Sequence, residues 1–348
     1  VWVILVAVLN KIIANLKSTL SIWCSRQLFV FLDEVARVRR ARPLYRPGGY
    51  IERPLSLELP TTHHPHNGCI IRQDAGYLVA ARAVNYGVSR LTHRLIVPGG
   101  PAHVDSQNWL VRLDRDLRVR EVTQVNDVFC KQAGSLAQNG LEDPRLFTWR
   151  GRLHALWSAG RVGSNDWDNI SNTMAIGVLH GRQIEGLRFI ESPHGRKREK
   201  NWMPWVVGDE LRLVYSVPDM ETYRYEDGKL TPLHKSAYAD PRLRGYSGGS
   251  PLQRWGDDWM CAVHCAARAT RQATAKLVRF FYIHRLIVVT DDFRIKAVSR
   301  EFFLEHKGAE FCAGLSVEDD GIILSYSARD CTSNLMKVPN AVVRGLFD

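Results

Sequence analysis

The 348-residue sequence contains no Cys-x-x-Cys pair. Its seven cysteines, at positions 24, 69, 130, 261, 265, 312 and 331, form an odd and scattered set. That spacing excludes a zinc knuckle and signals no disulfide framework. Several fall in apolar runs where a free cysteine acts as a small hydrophobe, so a reducing, cytoplasmic compartment is expected. Long apolar runs are also lacking. Residues 1–9 are apolar, but Asn10 and Lys11 break the run, and nine residues are too few to span a bilayer. The basic region that opens a secretory signal is missing as well. No nucleic-acid-binding module is recognisable, so nucleic acid is not an expected partner despite a net charge of +11. No Asp-x-Asp motif follows a Rossmann-like strand, which argues against a conventional sugar-nucleotide transferase fold.

What the chain does have is one hairpin pattern, written five times. Gly68 to Arg82, Asp143 to Ser158, Met203 to Ser216, Ser250 to His264 and Cys312 to Tyr326 share it. Each is a short apolar strand, a turn rich in Gly or Asp, and a second apolar strand ending in a polar residue. More polar hairpins alternate with these, at Trp109 to Val119, Met174 to Ile184, Tyr223 to Leu230 and His284 to Ile295, with Asn334 to Val338 as a last outer piece. Two hairpins make one four-stranded blade, so the pattern predicts an all-β, five-bladed propeller over residues 59–348. Residues 1–58 form a front segment of different character. Apolar spacing through Leu28, Phe31, Leu32 and Val35 predicts helix, and Arg37 to Arg46 makes a basic exit containing proline. Such a segment covers an edge of the propeller or lays an apolar face on a membrane. It also offers a contact surface for a homo-oligomer.

The first strand of each blade starts at the face to which the second returns. Polar residues at those ends should therefore ring one funnel. They are His66 and Asn67 with Arg82 and Asn85, Glu142 and Asp143 with Ser158, and Lys200 and Asn201 with Tyr215 and Ser216. Ser247 with His264, and Glu310 with Tyr326, Arg329 and Asp330, complete the set. Carboxylates, cations and hydroxyls together suit sugar hydroxyls plus an anionic group. Each has a plainer reading. Arg145 could pair with the next blade, Lys200 belongs to a solvated charge run, and His264 could be a satisfied core histidine. Asp143 stands out, because an acid before Pro144 at a strand mouth has no helix-capping role. His63, His64 and His66 have a weak spacing for a metal site, and no metal is expected.

With these residues in view, the chain resembles the five-bladed propeller glycosidases and phosphorylases of glycoside hydrolase family 130 and their transferase relatives acting on β-mannosides. The resemblance rests on Glu142-Asp-Pro-Arg145, Lys200-Asn-Trp-Met-Pro204, Gly248-Gly-Ser-Pro251, His264, Tyr282, Glu310-Phe-Cys-Ala-Gly-Leu315 and Ser325-Tyr-Ser-Ala-Arg-Asp330, in that order. It implies that Asp143 is the catalytic acid. It also implies that Arg82, Lys200, His264 and Tyr282 lie near a phosphate site, and that Asp330 holds sugar hydroxyls. Asn67, Arg145, Asn201 and Glu310 join the expected substrate-binding set. Two departures stand out: His66-Asn-Gly-Cys69 replaces the common Asn-Pro-Ser step, and residues 266–276 form an unusual insertion. The implied reaction is inverting transfer at a β-mannosidic anomeric carbon, with an oligosaccharide or sugar phosphate as substrate. Inorganic phosphate is the expected co-substrate and no other cofactor is expected. With water as nucleophile, Glu142 or Glu310 would serve as base. A GDP-mannose-dependent transferase and a non-catalytic carbohydrate-binding propeller are the alternatives.

Overall fold

A computed structural model describes residues 34–348, except 35, 48, 53, 74, 89–94, 100–102, 133, 163–169, 272–277 and 329–330. Four sheets have the four antiparallel strands of a propeller blade. Blade I runs through His64–Gln73, Gly76–Val84, Ser106–Leu113 and Val119–Gln124. Blade II is Leu141–Trp149, Arg152–Val162, Ile170–His180 and Gln183–Ile190. Blade III is Met203–Val207, Glu210–Ser216, Glu221–Glu226 and Lys229–His234. Blade IV is Glu310–Glu318, Gly321–Ala328 and Thr332–Pro339, closed on its outer edge by Leu55–Leu57. The chain thus ends in a sheet whose last strand comes from its beginning. Residues 42–57, part of the expected front segment, supply strands to two sheets.

The all-β propeller is as expected, but five alike blades are corrected to four. The unit between blades III and IV is a seven-stranded sheet. Its two long strands, Asp258–Arg271 and Val278–Val289, have 14 and 12 residues. They present more ladder than one outer strand can cover, and Ile295–Val298, Phe302–Phe303 and Arg42–Pro43 extend the sheet outward. On the inner side the first strand is split into Ser247–Gly248 and Gln253–Trp255. Pro251 in the gap has no N–H to give a ladder.

The core follows the pleat. Alternate residues of neighbouring sheets interlock, with Trp157, Trp202 and Trp205 almost wholly buried. The first strands of blades I, II and IV pack on one another around the axis, and that of blade III against blade II. Backbones come close there: a Cβ on Gly314 would lie 2.5 Å from the Ile70 nitrogen, and one on Gly249 would lie 2.5 Å from the Ala262 oxygen. Residues 1–33, with the expected apolar run and membrane-contact surface, lie outside the described residues. The helical turn at 36–40 packs Val38, and Ala41 after it, against Ala267, Ile283 and Phe303 of the seven-stranded sheet. Among the described residues no helix is long and apolar enough to cross a membrane.

Candidate active site

The funnel is built where the first two strands of blade II lose register. Glu142 pairs with Ser158 and Arg145 with Leu156, so Asp143 and Pro144 form a bulge opposite one partner residue. Consecutive strand residues ordinarily face opposite sides. Asp143 instead takes a left-handed backbone, φ 52°, and the bulge re-aims its side chain. Pro144 suits the bulge because no donor is lost. As a result Glu142 and Asp143, adjacent in sequence, meet the same guanidinium. Arg82 Nη2 is 3.2 Å from Glu142 Oε1, and Nη1 is 3.2 Å from Asp143 Oδ1. Arg82 is itself only 3% exposed and is held by its Nε donating to Ser106 Oγ at 2.9 Å.

Two further expected residues complete this cluster. Asn67 Nδ2 donates to Asp143 Oδ1 at 2.8 Å, while its Oδ1 accepts from Ser327 Oγ of blade IV at 2.5 Å. Lys200 Nζ donates to Glu142 Oε2 at 3.0 Å from blade III's side of the funnel. Asn67 and Asn201 also have left-handed backbones, φ 33° and 64°, so three mouth positions share this conformation. Asp and Asn tolerate it better than other non-glycine residues.

The electrostatics follow from this packing. Burial would raise the Asp143 pKa, but Arg82 first, then Lys200, His66 and Arg145, outweigh it and hold the carboxyl well below the usual range. For Glu142 burial is likewise outweighed by Arg82 and Lys200, and its pKa is lowered. Both groups are ionised at neutral pH when nothing is bound.

Arg145 lies behind this cluster. It is buried, and it donates from Nε to the Gly249 oxygen at 2.5 Å and from Nη1 to the Asp143 oxygen at 2.9 Å. It therefore ties blade II to the seven-stranded sheet through a carbonyl, rather than through a carboxylate of the next blade. Its guanidinium lies 5.2 Å from the Phe311 ring, which packs edge-on to His264 at 4.6 Å. Tyr282 meets the same His264 at 5.6 Å. Burial, then Arg145, pushes the His264 pKa down to about 4, so the ring is neutral at neutral pH.

Glu310 sits at the equivalent mouth position of blade IV, but its carboxylate turns away from the funnel. It accepts backbone N–H bonds from Leu304, Glu305 and His306 at 2.7–3.2 Å and anchors that loop. Burial outweighs those donors and pushes its pKa up to about 7. Asp330 lies outside the described residues. Among the described residues no group of His, Cys, Asp and Glu could hold a metal ion. His63 pairs with Asp105 at 3.1 Å.

Beside Lys200 a cleft of ≈ 540 Å³ opens between blade III and the 245–248 segment. Lys200 and Asn201 line it together with His194, Tyr215 and Glu221. A buried network stiffens this wall. Glu199 accepts from Trp202 Nε1 at 3.1 Å and from Tyr215 Oη at 3.2 Å, and Glu221 accepts from Tyr223 Oη at 2.6 Å. Ser106, Glu199 and Glu221 carry no distinct signal in the sequence. Each sits inside or beside a charged or apolar run, and only the alternation of Glu221 with Tyr223 hints at a shared face.

No family model matches the sequence, and a search of the curated proteins returns no match. Solved structures do match. The β-1,2-mannobiose phosphorylase of Listeria innocua, solved with β-1,2-mannobiose, superposes with a TM-score of 0.55 at 13% identity, over 87% of this chain and 98% of its own. MPT-4, a mannose phosphorylase of Leishmania mexicana solved with phosphate ion, gives 0.52 at 11% identity, over 84% and 90%. MPT-1 of the same organism, a GDP-Man-dependent mannosyltransferase, gives 0.53 at 16%, also over 84% and 90%. The chain therefore has the propeller fold of the mannoside phosphorylases of glycoside hydrolase family 130 and related mannosyltransferases.

Proposed function

We propose that this chain is a carbohydrate-active enzyme performing inverting glycosyl transfer on β-mannosides, with inorganic phosphate as co-substrate and Asp143 as general acid. The observation that carries the reading is the placement of Asp143. It stands on a bulge at the funnel mouth, with Asn67, Arg82 and the Glu142–Lys200 pair around it, in a fold shared with mannoside phosphorylases. Phosphate entering beside Arg82 and Lys200 attacks the anomeric carbon from the face opposite the glycosidic oxygen. That C–O bond breaks, and the leaving oxygen takes the proton from Asp143. Asp143 is then reprotonated from the new phosphate monoester or from solvent. His264, neutral in the free protein, contributes a hydrogen bond rather than a charge.

A general acid must carry its proton, yet Arg82 and Lys200 hold Asp143 ionised in the free site. A phosphate dianion resolves this conflict. By pairing with the same cations it cancels their field at Asp143 and raises its pKa toward the working range. On this reading the anion is both nucleophile and the agent that arms the acid. Arg82 and Lys200 favour phosphate over water: of the two carboxylates that could serve water as base, Glu310 is turned away and Glu142 is paired with both cations.

The likeness to MPT-1 supports a second reading, in which GDP-mannose is the donor. One assay separates them: sugar release from β-linked manno-oligosaccharides with and without phosphate, and the reverse reaction from mannose 1-phosphate or GDP-mannose. Phosphate-dependent formation of mannose 1-phosphate is expected. Turnover from GDP-mannose alone would replace phosphorolysis by transfer. Silence with every donor would leave a carbohydrate-binding propeller.

A further inference from the structure

We propose that a second cleft, on the other side of the seven-stranded sheet from His264, is an anion site that takes a diphosphate group. The cleft has a volume of ≈ 880 Å³, room for a diphosphate with a nucleoside or sugar attached. Arg37, Arg40, Arg242, Arg244, Arg285 and Arg300 line it, against two carboxylates, Glu34 and Glu301. It is separate from the Asp143 cluster by the pleat. His264 faces Phe311, whereas the next residue, Cys265, lines the arginine cleft. The two clefts share Gly245, and the Tyr246 ring stands between them.

The arginines form two layers. The inner layer is fixed: Glu301 pairs with Arg37 at 2.7 Å and Arg285 at 3.4 Å and accepts from Tyr246 Oη at 3.0 Å. Both guanidiniums lie over the Tyr246 ring, at 5.2 and 5.6 Å. Arg285 still leaves its Nε buried with no hydrogen-bond partner. Arg242 is held by Asp240 at 2.7 Å. The outer layer is different. Arg40, Arg244 and Arg300 are exposed and, among the described residues, pair with no carboxylate. Like charges gathered within a Debye length repel, and a bound anion relieves that repulsion. Guanidiniums are the groups best matched to phosphate oxygens, two at a time. A charge run on a solvated face would spread such arginines apart; here the short helical segment, the 241–245 turn and the strand ends bring them together around one hollow.

The inference does not depend on the proposed reaction, because its test reads binding and not turnover. GDP, pyrophosphate and orthophosphate are titrated by calorimetry into the wild-type chain, the Arg244→Ala/Arg300→Ala variant and Lys200→Ala. Saturable binding of GDP and pyrophosphate is expected, with orthophosphate weaker. Removing both exposed arginines should weaken it at least about tenfold, the scale of one charged hydrogen bond or more. Lys200→Ala should leave GDP and pyrophosphate binding unchanged and weaken only orthophosphate, the proposed ligand of the funnel. GDP binding tighter than pyrophosphate assigns the nucleoside a share, and equal affinities assign the diphosphate alone; both support the site. Binding lost in Lys200→Ala but kept in the arginine variant would move the anion to the Asp143 funnel and overturn the proposal. So would the absence of saturable binding of GDP and pyrophosphate to the wild-type chain.

Discussion

Replacing Arg82 by methionine tests the electrostatic design of the funnel. Arg82 is buried and sits 3.2 Å from both Glu142 and Asp143. Removing one member of a buried ion pair costs about 3–5 kcal/mol, because the other is left uncompensated. Here two adjacent carboxylates are left, with the partly exposed Lys200 paired to Glu142 and the weaker fields of Lys200, His66 and Arg145 at Asp143. The sign of the pH dependence isolates this term. In the wild type both pKa values are depressed, so the pair's contribution is fully present above the unfolded values near 3.8 and 4.5 and is lost only as pH falls through the folded ones. The pair therefore adds no slope between pH 5 and 8. In Arg82→Met at least one carboxyl is raised, and stability is then lost as pH rises through its folded pKa. For a carboxyl raised two to three pH units above its unfolded value, only the part of the rise above pH 5 counts, and at about 1.4 kcal/mol per pH unit this gives an extra loss of about 1–3 kcal/mol at pH 8 relative to pH 5. Urea denaturation of both proteins at both pH values measures it as a difference from wild type. The Ser106 bond and the stacking on Tyr86 are also lost, but their loss does not depend on pH. Equal destabilisation at pH 5 and pH 8 would refute the reasoning, since the carboxylates would then have no need of Arg82.

Asp143→Asn should cut turnover about a hundred- to ten-thousandfold while the chain still folds, because Asn also tolerates φ 52°, with a lower melting midpoint from the lost pairing to Arg82; unaltered turnover would remove Asp143 from the chemistry. The basic limb of the kcat profile should lie at higher pH than that of kcat/KM, since the first reports Asp143 with phosphate bound and the second the free site; coincident limbs would mean the anion does not arm the acid. Glu310→Gln should lose about 1–3 kcal/mol at pH 5 through its loop anchor. It should also remove the stability loss that the wild type shows as pH rises from the unfolded value near 4.5 through about 7, which pH-dependent melts would register. Gly249→Ala should lose well over about 2 kcal/mol, as its Cβ meets two backbone oxygens at 2.5 and 2.8 Å, whereas Gly208→Ala, in open space at φ 57°, should cost about 1 kcal/mol. Parallel thermal melts would show whether closeness at the axis separates the two.

The hairpins were legible because each is an apolar run long enough to show its period, stopped by a turn with a definite backbone need. Arg150-Gly151 and Asp227-Gly228 turn with both residues at positive φ, as tight antiparallel connections require. The seven-stranded sheet was legible only in its two hairpins, within Ser250 to His264 and at His284 to Ile295. Ser247–Gly248, Phe302–Phe303 and Arg42–Pro43 have two residues each, and two residues have no period. Their strand character comes from long neighbours that offer an open ladder, a property of another part of the chain. The arginine cleft was hidden for the same reason. Its cations come from four separate stretches, near 40, 244, 285 and 300.

The funnel shows how far position alone carries. Glu142, Asp143 and Glu310 gave the same signal: an acid where an apolar strand begins. The structure separates them by backbone, not by side-chain chemistry. At Asp143 the bulge and a positive φ turn the carboxylate toward Arg82 and Asn67, where a ligand can reach it. At Glu310 the pairing stays regular to Cys312, and the loop at 304–306 closes over the side chain and takes both oxygens. The register slip in blade IV comes two residues later, between Cys312 and Gly314, too late to re-aim the acid. A carboxylate at a strand mouth thus becomes a candidate acid only where the strand breaks its alternation at that residue. In a sequence that break has one visible mark here, Pro144 following Asp143, since proline accepts a place in the bulge that a ladder would refuse.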